Sequence, residues 1–360
     1  MVRKFYEDLH RIPEIAFQEF ATADYVENAL KQAGYEPHRI GKTCVYADLV
    51  TDPQLPWVVL RSDMDALAVT EQTDAPYASQ NPGMMHACGH DAHMAMLLTA
   101  ATQLKGEKLP QNIRILFQPA EESTLGALDI LPQGILPENT AAIFGMHVWP
   151  GVPEGKVVVK TGPLMASCTT VEIECFGRCA HCGQRQNGAD AVQTAATIVT
   201  RFHEAEAQAG GDGSILFCGS LHAGTSHNVV ADYAKICGTL RTFSEDSRQK
   251  ILKKLEAIAA ESERTYGTQV QVHYTSYAPA VTNPPEITAQ LLNLLPDHIP
   301  DIRPVLIAED FSHYQQRCPG AFLWLGVGDT APLHNGKYLT PQAVLPVGVA
   351  AWLKLATHKW

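Results

Sequence analysis

The chain lacks any uncharged apolar run of the length that a membrane-spanning helix requires. It also lacks an excess of positive charge: 38 acidic residues against 27 basic ones leave a net charge of −11. That balance argues against a general nucleic-acid binder, since phosphate contacts need basic patches. It does not exclude a small acidic substrate, which a few local cations can hold. The nine cysteines are an odd number without small-scaffold spacing. They read as reduced thiols of a cytoplasmic enzyme, not as a disulfide framework. No apolar segment follows the charges of residues 1–8, so no signal peptide is expected. There is no internal repeat and no low-complexity tract. What remains is an ordinary globular composition, 46% hydrophobic and 18% charged. Its 360 residues suffice for two domains and a sizeable core.

One stretch is dense in chemistry. His86-Ala87-Cys88-Gly89-His90-Asp91-Ala92-His93 puts three histidines, a cysteine and an aspartate into eight residues. Cys thiolate and His imidazole are preferred ligands of zinc and its neighbours. The stretch follows a turn-rich segment, 79–83, and leads into an apolar helical pattern over 94–104. A loop entering a helix brings two ligands together without strain. The bland alternative is a buried structural cysteine beside helix-capping polar residues.

Residues 3–34 read as helical in two pieces, interrupted at Pro13, with Gly34 as the C-terminal signal. Residues 44–50 and 57–60 are short β-rich runs. The second empties into Arg61-Ser62-Asp63-Met64-Asp65, and α/β folds place their chemistry at the carboxyl ends of buried strands. The alternation lets one of Asp63 and Asp65 face a site while the other faces away. Residues 112–117 read as a further buried strand, ending in Gln118-Pro119-Ala120-Glu121-Glu122. Adjacent carboxylates are unfavourable to bury without a partner. A metal would supply it, with one Glu ligating and its neighbour taking a proton from water. A solvated acidic turn is the alternative. A strand over 141–146 delivers His147, a strand over 321–326 precedes His334, and a last helix is expected over 341–355.

The middle of the chain has another character. Residues 169–176 alternate Val171, Ile173 and Cys175 against Glu172 and Glu174. A helix over 188–207, strands over 215–221 and 233–243, a serine-capped helix over 244–266 and a strand over 268–274 follow. This β-α-β-β-α-β order resembles a ferredoxin-like sandwich. The fold class expected is α/β: a mixed-sheet metal-binding domain, 1–164 and 278–360, with an inserted α+β lid or dimerisation domain, 165–277.

Cys88, His90, Glu122, His147 and His334 thus stand at strand or loop ends. Five ligands exceed a four-coordinate structural zinc site and suit two metals sharing one ligand. The runs 63–67, 86–91 and 118–122, with His147, then 228–232, 238–242, 309–311 and Leu333-His334, resemble the dinuclear amidohydrolases in order and over nearly the full length. That is the aminoacylase-like branch of the zinc-peptidase clan, which includes hippurate hydrolase, auxin-conjugate hydrolases and N-acetyldiaminopimelate deacetylase. The opening Leu9-His10-Arg11-Ile12-Pro13-Glu14 belongs to the same pattern.

The resemblance implies a zinc-peptidase-like catalytic domain holding two divalent ions (Zn, Mn, Co or Ni) on Cys88, His90, Glu122, His147 and His334, with Cys88 bridging. It implies Glu121 as general base and Asp65 as an orienting acid behind the ligands. His181, Asn228 and Arg241 fall where relatives contact the substrate carboxylate or the oxyanion, and the inserted domain would form a homodimer. The implied substrate is an N-acyl amino acid, in the first place N-acetyl-L,L-diaminopimelate of bacterial lysine synthesis; Glu309 or Asp310 would meet its second amine, unless either simply caps the helix at Phe311. The loop Cys179-Ala180-His181-Cys182-Gly183-Gln184-Arg185 departs from the commoner Gly-Gly-His-Ala-Ala-Tyr-Pro but keeps the histidine. His93 and His227 read as structural or helix-surface residues. Three alternatives stand beside this reading. One is a broad N-acyl-amino-acid hydrolase. Another is a metal-binding interaction protein without turnover, against which Glu121 and Asp65 speak. The third is a thiol enzyme with Cys88 as nucleophile.

Overall fold

The computed structural model describes residues 1–295 and 297–360. Helices α1 (Val2–His10) and α2 (Phe20–Gln32) flank Pro13, and Gly34 at φ 88° ends the second. Strands β1 (His38–Ile40), β2 (Cys44–Leu49) and β3 (Trp57–Asp63) follow. Next come α3 (His90–Leu104), β4 (Asn112–Gln118), the short α4 (Gly126–Ile130), β5 (Thr140–Trp149) and β6 (Val157–Val158). After β7 (Gly162–Met165) the chain forms β8 (Ser167–Phe176), α5 (Ala191–Thr200), α6 (Phe202–Glu206), β9 (Ile215–Ala223), β10 (Tyr233–Thr242), α7 (Glu245–Tyr266) and β11 (Gln269–Ala278). It closes with β12 (Val281–Asn283), α8 (Pro285–Leu294), β13 (His298–Ile299), α9 (Ser312–Gln315), β14 (Gly320–Gly326) and α10 (Leu345–Thr357). Strands β7 and β12 pair with each other. Among the described residues no helix is long and apolar enough to cross a membrane.

The chain divides into two compact units, the first Met1–Leu164, Thr282–Arg303 and Glu309–Trp360, the second Met165–Val281 and Pro304–Ala308. The second unit thus takes in residues 278–281 and 304–308, beyond the expected 165–277. The first unit is built on a mixed sheet of order β1-β2-β4-β3-β5-β14-β6-β13. Its centre, β4-β3-β5-β14, is parallel. Val58, Leu60, Ile113, Ile115, Phe144, Met146, Leu323 and Leu325 turn to one face and form a core with α1, α2, α3 and α10. The other face carries Phe322, against which Phe311 stacks at 5.1 Å. Gly145 lies below them, where a Cβ would meet the Phe322 ring at 2.6 Å.

The second unit is a four-stranded antiparallel sheet of order β11-β8-β10-β9. Val171, Ile173 and Cys175 face a core with α5 and α7, as their alternation predicts. The helix expected over 188–207 is two. The β-branched run Thr197-Ile198-Val199-Thr200 favours helix poorly, and Arg201 leaves helical geometry at φ −100°, ψ 6°. The last helix starts at Leu345 instead of 341. Ser244 caps α7 by accepting a hydrogen bond from the Ser247 N–H, so Ser244→Ala is expected to lower the stability of this unit by about 1 kcal/mol, read as a lower urea midpoint.

Candidate metal centre and active site

Because β4, β3, β5 and β14 are parallel, their carboxyl ends lie along one edge of the sheet. Asp63 ends β3, and Asp65 follows. Gln118 ends β4, and Glu121 and Glu122 follow in a 3-10 turn. His147 sits within β5, which runs on to Trp149 instead of stopping at residue 146. His334 lies in the loop after β14. Gly89 precedes α3 at φ 87°, and any Cβ there would lie 2.5 Å from a Val148 methyl, so only glycine brings Cys88 and His90 this close to β5.

The five expected ligands fall into two groups that share one residue. The donor atoms of Cys88, His90 and His147 lie within 4.8 Å of one another, and so do those of Cys88, Glu122 and His334. The Cys88 Sγ is 3.4 Å from His147 Nε2, and His334 Nε2 is 3.2 Å from Glu122 Oε1. Backbone groups fix the rings. His90 donates Nδ1–H to the Asp65 carbonyl at 2.9 Å, and His147 donates Nδ1–H to the Val148 carbonyl at 2.6 Å. That leaves the Nε2 of His147 turned toward Cys88 and the Nε2 of His90 toward Cys88 and Glu122. His90 Nε2 and Glu122 Oε1 are both buried; the first makes no hydrogen bond among the described residues, and the second faces the His334 ring. A divalent cation would satisfy both, and soft thiolate, imidazole and carboxylate together suit zinc or a neighbouring metal.

The Asp65 carboxylate accepts the backbone N–H groups of Glu121 and Glu122, each at 3.0 Å. His93, expected as structural or on a helix surface, is fully buried. It donates Nδ1–H to Asp63 at 2.7 Å and accepts the Val148 N–H at 2.9 Å on Nε2. Asp63 also binds Arg61 at 2.8 Å, and the same guanidinium reaches Glu309 at 3.0 Å, Asp310 at 2.8 Å and Gln118 at 2.9 Å. Asp310 further accepts the Gln118 amide and the Ala127 N–H. Glu309 and Asp310, expected to meet a second substrate amine, are therefore committed to Arg61 and buried, which corrects that expectation. The sequence reading left Arg61 without a role. A charged residue directly after the apolar run Trp57-Val58-Val59-Leu60 was the available signal, since arginine is seldom buried without partners.

The electrostatics favour a cation. Burial disfavours a charged His90, yet the carboxylates of Asp63, Asp65 and Glu122 outweigh it and raise the ring to about 10. Burial, then Glu309 and Glu122, holds Glu121 well above the usual carboxylate range. Burial, then Glu122 and Glu121, pushes the Cys88 thiol up, so without a cation it stays protonated. That setting opposes a free thiolate nucleophile, which needs a lowered pKa.

The other expected residues lie in the second unit. His181 and Asn228 are exposed, and their segments pair: Cys182 N–H donates to the Asn228 carbonyl at 3.0 Å. Arg241 stands at the far end of β10, opposite Ile215 and Cys168. Eight residues of strand separate it from Tyr233, about 26 Å. One copy of this unit does not bring the three together. His227 is exposed in the same loop as Asn228.

His86 is buried with neither ring nitrogen hydrogen-bonded among the described residues. Burial drives it from 6.5 down to about 4, against the nearby Asp91. Between those values the unfolded chain holds a proton that the folded chain refuses. The contribution, about 3 kcal/mol, is therefore present above pH 6.5 and lost as pH falls toward 4. In metal-free protein, His86→Leu is expected to flatten the fall in urea-unfolding free energy between pH 6.5 and 4.

Residues 59–358 match the family described as peptidase family M20/M25/M40. An N-acetylcysteine deacetylase of Bacillus subtilis is 33% identical over 362 residues, 97% of this chain and 94% of its own. An N-acetyldiaminopimelate deacetylase of Bacillus velezensis is 33% identical over 341 residues, 92% and 91% of the two chains. A crystal structure from Bacillus subtilis, of a dinuclear metal binding peptidase of the M20 family, superposes with a TM-score of 0.88 at 32% identity, over 99% of this chain and 96% of that one. With its expected ligands gathered on one sheet edge and a match that spans most of its length, the chain belongs to peptidase family M20/M25/M40.

Proposed function

We propose that the protein is a dinuclear-metal N-acyl-amino-acid deacetylase, with N-acetyl-L,L-diaminopimelate as the first candidate substrate. The observation that carries this reading is the pair of ligand groups sharing Cys88, with Glu121 beside them. Cys88, His90, Glu122, His147 and His334 would hold the two divalent ions, Cys88 being common to both ligand groups. Bound there, the ions would supply Lewis acidity toward the amide carbonyl and toward water. Glu121 takes the proton of the attacking water on its carboxylate and delivers it to the departing amine nitrogen. A carboxylate with raised proton affinity suits both steps. Asp65 keeps Glu121 and Glu122 in register through their backbone N–H groups. His181 donates to the developing oxyanion, Asn228 supports it, and the planar fork of Arg241 takes the free α-carboxylate.

Since His181 and Asn228 lie a strand length from Arg241, a second copy supplies one of the two sets, and the working enzyme is a homodimer. The edge strand β9, with Ile215, Phe217 and Leu221 exposed, supports that assignment. The engagement of Glu309 and Asp310 by Arg61 leaves N-acetylcysteine as a second reading, matched by the names of two relatives.

Primary-amine release by zinc- or manganese-loaded protein decides between these. Preference for N-acetyl-L,L-diaminopimelate over N-acetylcysteine, N-acetylmethionine and hippurate is expected, and would place the enzyme in lysine synthesis. Preference for N-acetylcysteine selects the second reading, and no turnover on any of the four overturns both. Glu121→Gln is expected to lower kcat at least about a hundredfold with metal content unchanged. Retained activity in that variant would remove Glu121 from the mechanism.

A further inference from the structure

The opening segment of the chain carries a carboxylate that the proposed reaction does not use. Glu19 precedes α2 and is fully buried. Its Oε1 accepts the N–H of Phe17 and the N–H of Ala120, each at 2.9 Å. Its Oε2 accepts the Thr43 hydroxyl at 2.7 Å. Ala120 lies next to Glu121. Both N–H groups on Oε1 come from residues in the left-handed region, Phe17 at φ 60° and Ala120 at φ 57°. Among the described residues only two other non-glycine residues adopt such angles, Thr124 and His334. Thr124 ends the turn that carries Glu121 and Glu122, and His334 is one of the expected ligands. Backbone strain of this kind persists only where the surroundings hold it.

We infer that Glu19 is a positioning residue, a clamp that holds the Pro119–Ala120 peptide, keeps Ala120 in its left-handed turn and so aims the Glu121 carboxylate. The inference rests on the role of Glu121 proposed above. The Ala120 carbonyl is held from the other side, by the Ser123 hydroxyl at 2.8 Å and the Gly126 N–H at 3.2 Å. Asp65 takes the next two N–H groups, at Glu121 and Glu122. The turn is thus tied at successive peptide groups. Glu19 supplies the tie at the strained residue, and it belongs to a segment about a hundred positions earlier in the chain.

The acceptor geometry, not the charge, is what the clamp uses. Glu19→Gln keeps an oxygen for the two N–H groups and turns an amide donor toward Thr43, so its kcat should stay within about threefold of wild type. Glu19→Ala should lower kcat at least tenfold, with KM and bound zinc unchanged within twofold. Adding Ala120→Gly, which adopts the left-handed turn without a clamp, should restore at least a third of the lost kcat. Hydrogen–deuterium exchange over 118–126 reads the clamp without substrate, and Glu19→Ala should speed exchange there at least tenfold. If Glu19→Ala gives no folded protein, Glu19→Asp, which draws the carboxylate back by one methylene, carries the same expectations.

Unchanged kcat and exchange in these variants overturn the inference. So does loss of kcat together with zinc, or loss that Ala120→Gly fails to restore. If wild type turns over no N-acyl amino acid, the proposed function fails, and the exchange measurement alone decides the clamp.

Discussion

The Arg61 guanidinium is the interaction on which the site depends. It lies inside β3, fully buried, and binds Asp63, Glu309 and Asp310 at once. Desolvating one cation and three carboxylates is unfavourable unless every charge finds partners. Here they do: Gln118, Ala127 N–H and Phe311 N–H take the remaining lone pairs. Burial, against Arg61 and with Asp310, still raises Glu309 above the usual carboxylate range. The arrangement carries more acid than its cation neutralises, and the excess lies toward Glu121 and Glu122. A place where buried carboxyl groups outnumber cations, and hold protons for want of them, is one that takes up divalent cations.

The same network transmits order. Asp63 is shared between Arg61 and His93, and His93 accepts the Val148 N–H beside His147. Val148 is in turn the residue whose carbonyl fixes the His147 ring. A single chain of contacts therefore runs from the buried guanidinium to a ligand on a neighbouring strand. Each link is short and enclosed, which is how a ligand orientation is held to a few tenths of an ångström.

Much of this was legible in the sequence because local pattern determines it. The apolar runs of β3, β4, β5 and β14 and the helix stops at Pro13 and Gly34 need only nearby residues to specify them. That these side chains gather was legible because Cys, His and Glu at strand ends have few other reasons to occur together. What was not legible depends on partners far along the chain. Residue 146 looked like the end of β5, yet the strand continues because Val148 and Trp149 pair with Leu325 and Gly326. Glu309 and Asp310 read as partners of a substrate amine or as a helix cap, and Arg61, which binds both, lies 248 positions before Glu309. His93 sits one helical turn after His90, and helix periodicity cannot say that both faces of α3 are buried. The separation of Arg241 from Asn228 needed the register of β10, which the sequence does not print.

The ring assignments settle how metal and protons compete. His90 and His147 each spend Nδ1–H on a backbone carbonyl, which no side-chain substitution removes. Their Nε2 atoms are therefore the only ring positions left for a proton or an ion. At His90 Glu122 lies 4.0 Å from that position while Asp63 and Asp65 lie on the Nδ1 side, and together they raise the ring to about 10, so without a metal the ring holds a second proton. Cys88, with its thiol pushed up by burial and by Glu122, keeps one too. An ion binding at these atoms must displace both protons, so its affinity rises with pH across the neutral range. The carboxylates that make the site attractive to a dication also make it attractive to protons. A double charge gains more from them than a single one, and this difference lets the metal win.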